Sequence, residues 1–290
     1  MLADLVRRVV RFGILVAACL GAMVAPPAMA QHSTWDRVTK NKELRIGAAP
    51  TEPWFLKDTS NSTAPGAVKS GDSTWRGVGP MLGKDIADAL GVKLTIVETT
   101  WANAVAGLQA NQFDVMFMLD PTPTRAVAVA FVWPVLWSPY ALIAREDLAV
   151  TNWRDLNDPK YKIATVSGTA PDALLTKNAP KATVSRFGST GEAIAAFQSG
   201  RVDGALTTSQ TADTTRARLN MGKTLVLKPV AAMPTGAAVR MEQDDRWKQF
   251  LNVAVQHSYN SGKTQDFYEQ FVAFRGLDPK QAIPVMRELW

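Results

Sequence analysis

Cysteine and histidine are nearly absent from this chain of 290 residues, which has one cysteine and two histidines. Cys19 lies in an apolar N-terminal segment, so the chain beyond it cannot form a disulfide framework, a cysteine metal site or a cysteine nucleophile. His32 lies near the N-terminus, and His257 lies in a predicted amphipathic helix near the other end. Without paired histidines or a phosphate-binding glycine loop, we predict no metal site and no cofactor.

Long apolar runs are also lacking beyond the N-terminal segment, so no transmembrane helix is predicted there. At the N-terminus, Arg7, Arg8 and Arg11 precede an apolar stretch over residues 13–24, and residues 28–30 (Ala-Met-Ala) have the small-x-small pattern of a cleavage site. This arrangement is typical of a secretory signal peptide. We therefore predict a signal peptide over residues 1–30 and a periplasmic mature protein.

Basic residues are in moderate excess, giving a formal net charge of +6. No basic run is interleaved with aromatic residues, and exported proteins rarely meet nucleic acid, so no nucleic-acid partner is predicted. Residues 16–19 (Val-Ala-Ala-Cys) resemble a loose lipobox. A lipid anchor on Cys19 is therefore the alternative to cleavage after Ala30.

Beyond the signal peptide, short apolar strands alternate with helical segments, which indicates a parallel α/β sheet. The polar residues 57–75 interrupt this pattern and predict a mobile surface loop. Two extended segments, 137–145 and 231–241, separate two sets of alternations. The pattern predicts two α/β lobes with a cleft between them: lobe 1 over residues 31–138 and 233–290, and lobe 2 over residues 139–232. In such sheets, ligands bind beyond the carboxyl ends of the strands.

The segment from Asp114 to Arg125 indicates half of a binding site. A buried strand ends at Leu119 and is followed by Asp120, and Thr122 and Pro123 have the chemistry of an N-cap and a first helical residue. Arg125 then lies in the first helical turn. A guanidinium can bind a ligand carboxylate bidentately, while Asp120 can bind an ammonium group. Alternatively, the two side chains pair with each other across a surface turn.

Five segments of the chain carry a recognisable pattern: Gly77–Gly91, Trp101–Asp114, Thr122–Arg125, Ser167–Thr169 and Gly236–Arg240. No single motif is strong, but their order and spacing are specific over nearly all of the mature chain. Together they resemble the bacterial extracellular solute-binding proteins of the polar amino-acid class, family 3, which supply ABC importers. The resemblance implies a type II periplasmic-binding-protein fold, with two parallel-type sheets joined by two hinge strands.

The resemblance also implies roles for individual residues. Arg125 matches the arginine that binds the α-carboxylate, and Gly168 and Thr169 match a Gly-Thr turn that adds backbone amides and a hydroxyl at a helix N-terminus. An ordinary turn and cap is the alternative for this pair. Trp54 and Phe55 lie in the loop whose aromatic residues cover the ligand side chain in that family, and they supply apolar area there.

Other positions either have an alternative role or depart from the family pattern. Trp101 is predicted near the mouth of the cleft, with a purely structural core role as the alternative. Thr208 replaces a family aspartate that binds the ammonium group, while Asp120 stands near a family serine or threonine. Glu52 replaces an aromatic residue. The simplest inference is that the carboxylate has moved from lobe 2 to lobe 1, so that Asp120 and Glu52 favour a cationic or amine-bearing solute; either acid could instead be solvated at the rim.

These observations predict a monomeric, non-enzymatic binding protein. It would close on an amino acid or a related zwitterion and present it to the permease of an ABC importer. One alternative is a periplasmic dehydratase of a cyclic acid, resembling cyclohexadienyl dehydratase, with Asp120 or Glu52 as general acid. The other is a ligand-sensing module that reports to a membrane receptor.

Overall fold

The strands and helices of this chain alternate along most of its length. The computed structural model describes residues 33–60 and 62–289. The predicted signal peptide, Cys19 and His32 lie outside the described residues. Within the described residues, no helix is long and apolar enough to cross a membrane.

The first half of the described chain contains four helices and seven strands. They are α1 (Thr34–Asn41), β1 (Glu43–Ala48), β2 (Leu56–Asp58), β3 (Val68–Ser70), β4 (Ser73–Arg76), α2 (Val78–Leu90), β5 (Lys93–Glu98), α3 (Ala104–Gln109), β6 (Val115–Leu119), α4 (Pro123–Ala126) and β7 (Val129–Ala144). Helix α2 ends where Gly91 adopts a left-handed conformation, a common helix terminator. Helix α3 begins only at Ala104, because residues 101–103 form a turn.

The second half repeats the alternation and ends in two long helices. Its elements are α5 (Trp153–Leu156), β8 (Lys162–Val166), α6 (Ala170–Asn178), β9 (Thr183–Phe187), α7 (Thr190–Gln198), β10 (Gly204–Thr208), α8 (Ser209–Leu219), β11 (Lys223–Leu225), β12 (Ala232–Arg240), α9 (Arg246–Asn260), α10 (Lys263–Phe274) and a 3-10 turn (Arg287–Leu289).

Strands β7 and β12 connect the two sets of alternations. The described strands follow one hydrogen-bonded path in the order β5-β1-β6-β12-β7-β10-β8-β9, and β11 pairs with β7. Strands β5, β1 and β6 run parallel, as do β10, β8 and β9, whereas β12 and β7 run antiparallel to their neighbours. The carboxyl ends of both parallel groups therefore lie beside the long connecting strands.

Separate hydrophobic cores lie on the two sides of the connecting strands. One core contains buried residues from 38–136 and 237–285, and the other cores draw theirs from 140–227. Residues from the first half of strand β7 belong to the first core, and residues from its second half belong to the other cores. The chain thus has the two-lobed α/β architecture that the sequence indicates, and the boundaries at 138/139 and 232/233 stay our proposal for the division.

Asp114 fixes the start of β6 and has a structural role. Its buried carboxylate accepts hydrogen bonds from the Arg45 backbone N–H at 2.7 Å, from Arg45 Nη2 at 2.9 Å and from Arg37 Nε at 2.8 Å, and it also pairs with Arg37 Nη2. These bonds attach β6 to β1 and α1. A buried carboxylate is tolerated here because all of its acceptor sites are used.

Residues 57–75 were expected to form a mobile loop, and this expectation is wrong. They form most of a small antiparallel sheet in the order β2-β4-β3, with Val68 and Trp75 buried. Arg76 is 1% exposed, and its Nε donates to Asp58 at 2.6 Å. Burial alone would raise the pKa of Asp58, but hydrogen bonds from Ser60 and Arg76 lower it to about 2. The polar composition of the segment includes the buried Arg76–Asp58 ion pair, which orders it.

Candidate functional site

A pocket of about 540 Å³, part of it open to solvent, lies between the two lobes. It is bounded by the carboxyl ends of β6 and β10, the N-termini of α6, α7 and α8, and the loop after β1. Six of the predicted site residues line it: Trp54, Trp101, Asp120, Arg125, Thr169 and Thr208. The position beyond the carboxyl ends of parallel strands is the one expected for a ligand site in this kind of sheet.

Asp120 enters the pocket just beyond a bulge at the end of β6. Two residues of β6, Phe117 and Met118, stand opposite the single residue Ala237 of β12, and Met118 has a left-handed φ of 57°. Such a bulge turns the strand and redirects the side chains that follow it. A left-handed conformation is costly for a side chain like that of methionine, and strain of this kind concentrates at functional sites.

The carboxylate of Asp120 has one hydrogen-bond partner from β7. Tyr140 Oη donates to Asp120 Oδ2 at 2.9 Å. Burial raises the pKa of Asp120, partly offset by the positive charge of Arg125 and by the Tyr140 hydrogen bond. Burial and the neighbouring carboxylate also raise the pKa of Tyr140, which keeps the phenol protonated as a donor. No hydrogen bond to the second carboxylate oxygen, Oδ1, occurs within residues 33–60 and 62–289.

Arg125 is oriented by a capped helical turn. Thr122 Oγ1 accepts from the Arg125 backbone N–H at 3.2 Å, and Pro123 occupies the first helical position, as the sequence indicates. The guanidinium donates through Nη1 to the Asp120 backbone carbonyl at 2.9 Å and through Nη2 to the Gly168 carbonyl at 3.3 Å. It therefore touches both lobes.

The alternative in which Asp120 and Arg125 simply pair with each other is not what the structure contains. The contact between them uses the Asp120 backbone carbonyl, and no salt bridge joins the two side chains among the described residues. Burial lowers the pKa of Arg125, although the negative charge of Asp120 opposes this change. The pocket thus presents a carboxylate and a guanidinium that are separately oriented.

The Gly168-Thr169 turn begins α6 on the lobe 2 side. Gly168 has a left-handed φ of 70°, which glycine adopts without strain. Thr169 lines the pocket, and its Oγ1 donates to the Val166 carbonyl at 2.7 Å. Gly168 does not line the pocket, but its carbonyl accepts from Arg125. The turn is therefore ordered, and it places a helix N-terminus at the pocket.

Thr208 is the N-cap of α8. Its Oγ1 accepts from the Thr211 backbone N–H at 3.3 Å and donates to Thr211 Oγ1 at 2.9 Å. The hydroxyl is thus used within the protein, although the side chain still lines the pocket. A capping role of this kind stabilises α8 by about 1 kcal/mol.

Two tryptophans form an aromatic wall. Trp54 is 3% exposed, and Trp101 donates from Nε1 to Thr51 Oγ1 at 2.9 Å, which leaves its ring as the surface that faces the pocket. Trp101 also packs against the buried Phe55, with ring centroids 6.1 Å apart. The residue therefore has both of the roles considered for it, because it lines the pocket and packs on the core.

The structure does not bring Phe55 or Glu52 into this pocket. Phe55 is fully buried, and its ring fills the space where Gly79 lacks a side chain. The Glu52 carboxylate is turned toward Arg275, whose Nε and Nη2 donate to it at 2.7 and 2.6 Å, and it lies 3.7 Å from Arg218 Nε. The expected second acid of the site is instead occupied by two arginines.

Several residues at the pocket were missed by the sequence reasoning. They include Thr51, Met118, Tyr140, Thr190, Leu206 and Thr235, which line the pocket or, for Tyr140, bond to Asp120. Thr190 directly follows the N-cap Ser189, so the sequence did indicate that it begins a helix. The others lie within strands or loops, where sequence does not indicate which residues face the cleft. No group of three potential metal ligands occurs among the described residues.

Known proteins resemble this chain in both sequence and fold. A probable amino-acid ABC transporter-binding protein of Haemophilus influenzae is 30% identical over 141 residues, which is 48% of this chain and half (50%) of the relative. An ancestral amino acid-binding protein, a precursor of cyclohexadienyl dehydratase, is 28% identical and has a TM-score of 0.71, with 82% of this chain and 99% of that protein covered.

A more distant structure shows the same fold. An L-arginine-bound amino acid ABC transporter substrate-binding protein of Streptococcus pneumoniae is 21% identical, with a TM-score of 0.72 over 83% of this chain and 98% of that one. The model of one family, the bacterial extracellular solute-binding proteins, family 3, matches residues 58–274. Because that match spans most of the chain and the fold agrees, the chain belongs to the family 3 bacterial extracellular solute-binding proteins.

Proposed function

We propose that this protein binds an amino acid in the pocket between its lobes and delivers it to the permease of an ABC importer. The observation that carries the proposal is the presence of Asp120 and Arg125 in one pocket as separately oriented opposite charges. A zwitterion has the complementary pair of charges. The family match and the amino acid-binding relatives support the same ligand class.

Arg125 binds the α-carboxylate in this proposal. A guanidinium matches a carboxylate bidentately, and the two carbonyls that it now contacts are weaker partners than an anion. Thr169 lies beside it at the start of α6, where free backbone N–H groups favour negative charge. The carboxylate thus lies between a cation of lobe 1 and a helix N-terminus of lobe 2.

Asp120 binds the ammonium group, and the tryptophans cover the side chain. The Tyr140 hydroxyl holds one oxygen of Asp120, so the carboxylate has a fixed orientation. An incoming cation offsets the burial that raises the pKa of Asp120. Trp54 and Trp101 provide apolar area for the rest of the ligand.

Closure of the lobes around the ligand excludes water and strengthens these charge interactions. The closed form is then the form presented to the permease. We propose a monomer that acts in the periplasm after cleavage of the signal peptide; family membership supports an extracytoplasmic location. All of the relatives above are binding proteins, which supports binding over catalysis.

A thermal-shift screen with amino acids tests the proposal, since a ligand that binds only the folded protein raises the unfolding temperature. Arg125→Ala should weaken binding by about 3 kcal/mol or more, because it leaves a ligand carboxylate unpaired. Asp120→Ala should weaken binding of amino acids but spare simple carboxylates. Arg246→Ala, at an exposed ion pair on α9, is the control and should bind normally.

Three results would reject the proposal. The first is the absence of any stabilisation across the amino acid set, and the second is equal affinities for wild type and Arg125→Ala by calorimetry. The third is steady turnover of a cyclic acid such as prephenate in place of stoichiometric binding, which would make the protein a dehydratase.

A further inference from the structure

The charges at the pocket point to a narrower ligand class than the family alone provides. Of the described residues that line it, Asp120 and Arg125 are the charged ones, and the others carry hydroxyl or apolar side chains. These two charges match the ammonium and carboxylate groups common to all amino acids. No charge of either sign is then left for the ligand side chain. Resting on the proposed function, we infer that the pocket selects amino acids whose side chains are uncharged.

Two carboxylates on segments that border the pocket, those of Glu52 and Asp213, are used elsewhere. Glu52 is bound to Arg275 and does not line the pocket. Asp213 of α8 accepts a hydrogen bond from Thr224 Oγ1 at 2.6 Å and also does not line the pocket. A lysine or arginine side chain would therefore be buried without a partner, which is strongly unfavourable.

The remaining wall offers few free polar groups to a charged side chain. The Thr51 hydroxyl donates to the Pro50 carbonyl and accepts from Trp101 Nε1. The Thr169 hydroxyl donates to the Val166 carbonyl, and the Thr208 hydroxyl donates to Thr211 Oγ1. The apolar part of the wall includes Trp54, Trp101, Met118, Val166, Pro171 and Leu206. This surface fits an apolar or weakly polar side chain.

Calorimetry with leucine, phenylalanine, glutamine, arginine, lysine, aspartate and glutamate tests the inference. The best uncharged amino acid should bind at least about 100-fold more tightly than any of the four charged ones. A tightest ligand with a charged side chain would overturn the inference while leaving the proposed function intact. If none of the seven amino acids bound, both the inference and the proposed function would be overturned. Arg125→Ala tests the proposed function separately, because it should weaken the binding of every amino acid that the wild type binds.

A variant that adds a carboxylate to the pocket tests the same inference through an expected gain of affinity. Thr208 is an N-cap, and aspartate and asparagine are equally good N-caps, so both substitutions preserve α8. Thr208→Asp adds one carboxylate to the pocket, whereas Thr208→Asn adds none. Lysine or arginine should bind about 10-fold or more tightly to Thr208→Asp than to Thr208→Asn. Equal affinities for the two variants would contradict the charge argument.

A second observation independently assigns another ligand-binding residue. Thr235 on β12 is 3% exposed and lines the pocket, and its Oγ1 has no hydrogen-bond partner among residues 33–60 and 62–289. Gly236 pairs with Leu119, so the antiparallel register places Thr235 beside Asp120. A buried hydroxyl without a partner is unfavourable unless a ligand supplies one. We propose that Thr235 Oγ1 accepts a hydrogen bond from the ligand ammonium, next to the carboxylate of Asp120.

Thr235→Val tests this assignment, with Thr165→Val as a matched control. Thr165 on β8 is also buried with an unpartnered hydroxyl, but it does not line the pocket. Neither substitution should lower the unfolding temperature without ligand, because valine replaces an unpaired hydroxyl by a methyl group of similar size. Thr235→Val should weaken the preferred amino acid about 10-fold or more, and Thr165→Val should leave it unchanged.

A ligand without the ammonium group separates direct contact from a packing effect. Thr235→Val should lower the affinity for the corresponding 2-hydroxy acid by a smaller factor than it lowers the affinity for the amino acid. An equal loss for both ligands, or no loss for the amino acid, would overturn the role of Thr235 and leave the charge selectivity as a separate result.

Discussion

Asp120 lies partly buried at the end of β6, where burial opposes the charge that an ammonium ligand needs. Its raised pKa means that the folded protein keeps this proton to a higher pH than the unfolded chain does. The contribution of Asp120 to the stability of the ligand-free protein is therefore full below the ordinary aspartate pKa of about 3.9, and it is lost as the pH rises through the raised value. A bound ammonium reverses this penalty.

Ligand affinity should consequently rise with pH over the range in which Asp120 ionises. The groups that face this carboxylate are Arg125 and Tyr140, and neither titrates in the acid range. Calorimetry from about pH 4 to about pH 8 should show weaker amino acid binding at the acid end, with a midpoint above about 3.9. Asp120→Asn should bind weakly at every pH in this range. A wild-type affinity independent of pH would contradict the ammonium role.

Local signals explain which of the pocket-lining residues the sequence could predict. Asp120, Arg125, Thr169 and Thr208 follow strand ends or begin helices, and caps and strand ends are recognisable from short stretches of sequence. Glu52 and Phe55 could not be placed in this way. Their directions depend on Arg275 and Gly79, which are distant in sequence, and an irregular loop has no periodicity that indicates which side chains face the cleft.

At the level of elements, the bulge in β6 determines the direction in which Asp120 enters the pocket. The strand itself was predictable from its apolar run, but the left-handed Met118 and the extra residue opposite Ala237 were not. Neither feature needs glycine or another turn residue, so the composition carries no trace of them. The direction of Asp120 depends on this bulge, which is why the sequence indicated the residue but not its orientation.

The small sheet β2-β4-β3 was wrongly expected to be a mobile loop. Serine, threonine and glycine are typical of loops, but here the buried Arg76 provides hydrogen-bond donors to the polar groups of the segment. Its guanidinium donates to the carbonyls of Ser62, Ala64 and Pro65 as well as to Asp58, and it lies 4.3 Å from the centroid of the Phe274 ring. The contacts join distant positions, so no local pattern indicates them.

Arg76→Ala should destabilise the protein by about 3 to 5 kcal/mol, because it removes the only cation paired with the buried Asp58 carboxylate among the described residues and leaves three backbone carbonyls without their donor. Lys57→Ala removes an exposed pair with Glu98 from the same small sheet and should cost less than about 1 kcal/mol. Urea unfolding of the two variants measures the difference. Similar costs for both would mean that Arg76 does not organise the segment.

For the whole molecule, the contacts that cross the cleft matter most for the proposed closure. Arg125 Nη2 donates to the Gly168 carbonyl at 3.3 Å, the Thr51 and Thr190 hydroxyl oxygens are 3.0 Å apart, and Glu52 lies 3.7 Å from Arg218 of α8. Each of these three contacts is either long or between neutral groups, so each is individually weak. A closed form held mainly by such contacts leaves most of the closing free energy to the ligand, as required if occupancy is to control closure.

The Glu52 to Arg218 contact can be weakened without touching the pocket. Arg218 is 42% exposed and lines no part of the ligand pocket, so this ion pair contributes at most about 1 kcal/mol to the closed form. Arg218→Ala should therefore weaken ligand binding by no more than about 5-fold, through faster dissociation rather than slower association. Stopped-flow measurements separate the two rates. Arg216→Ala, on the same helix but not paired with Glu52, is the control. If Arg218→Ala slowed association and left dissociation unchanged, Glu52 and Arg218 would act in ligand entry and not in holding the lobes together.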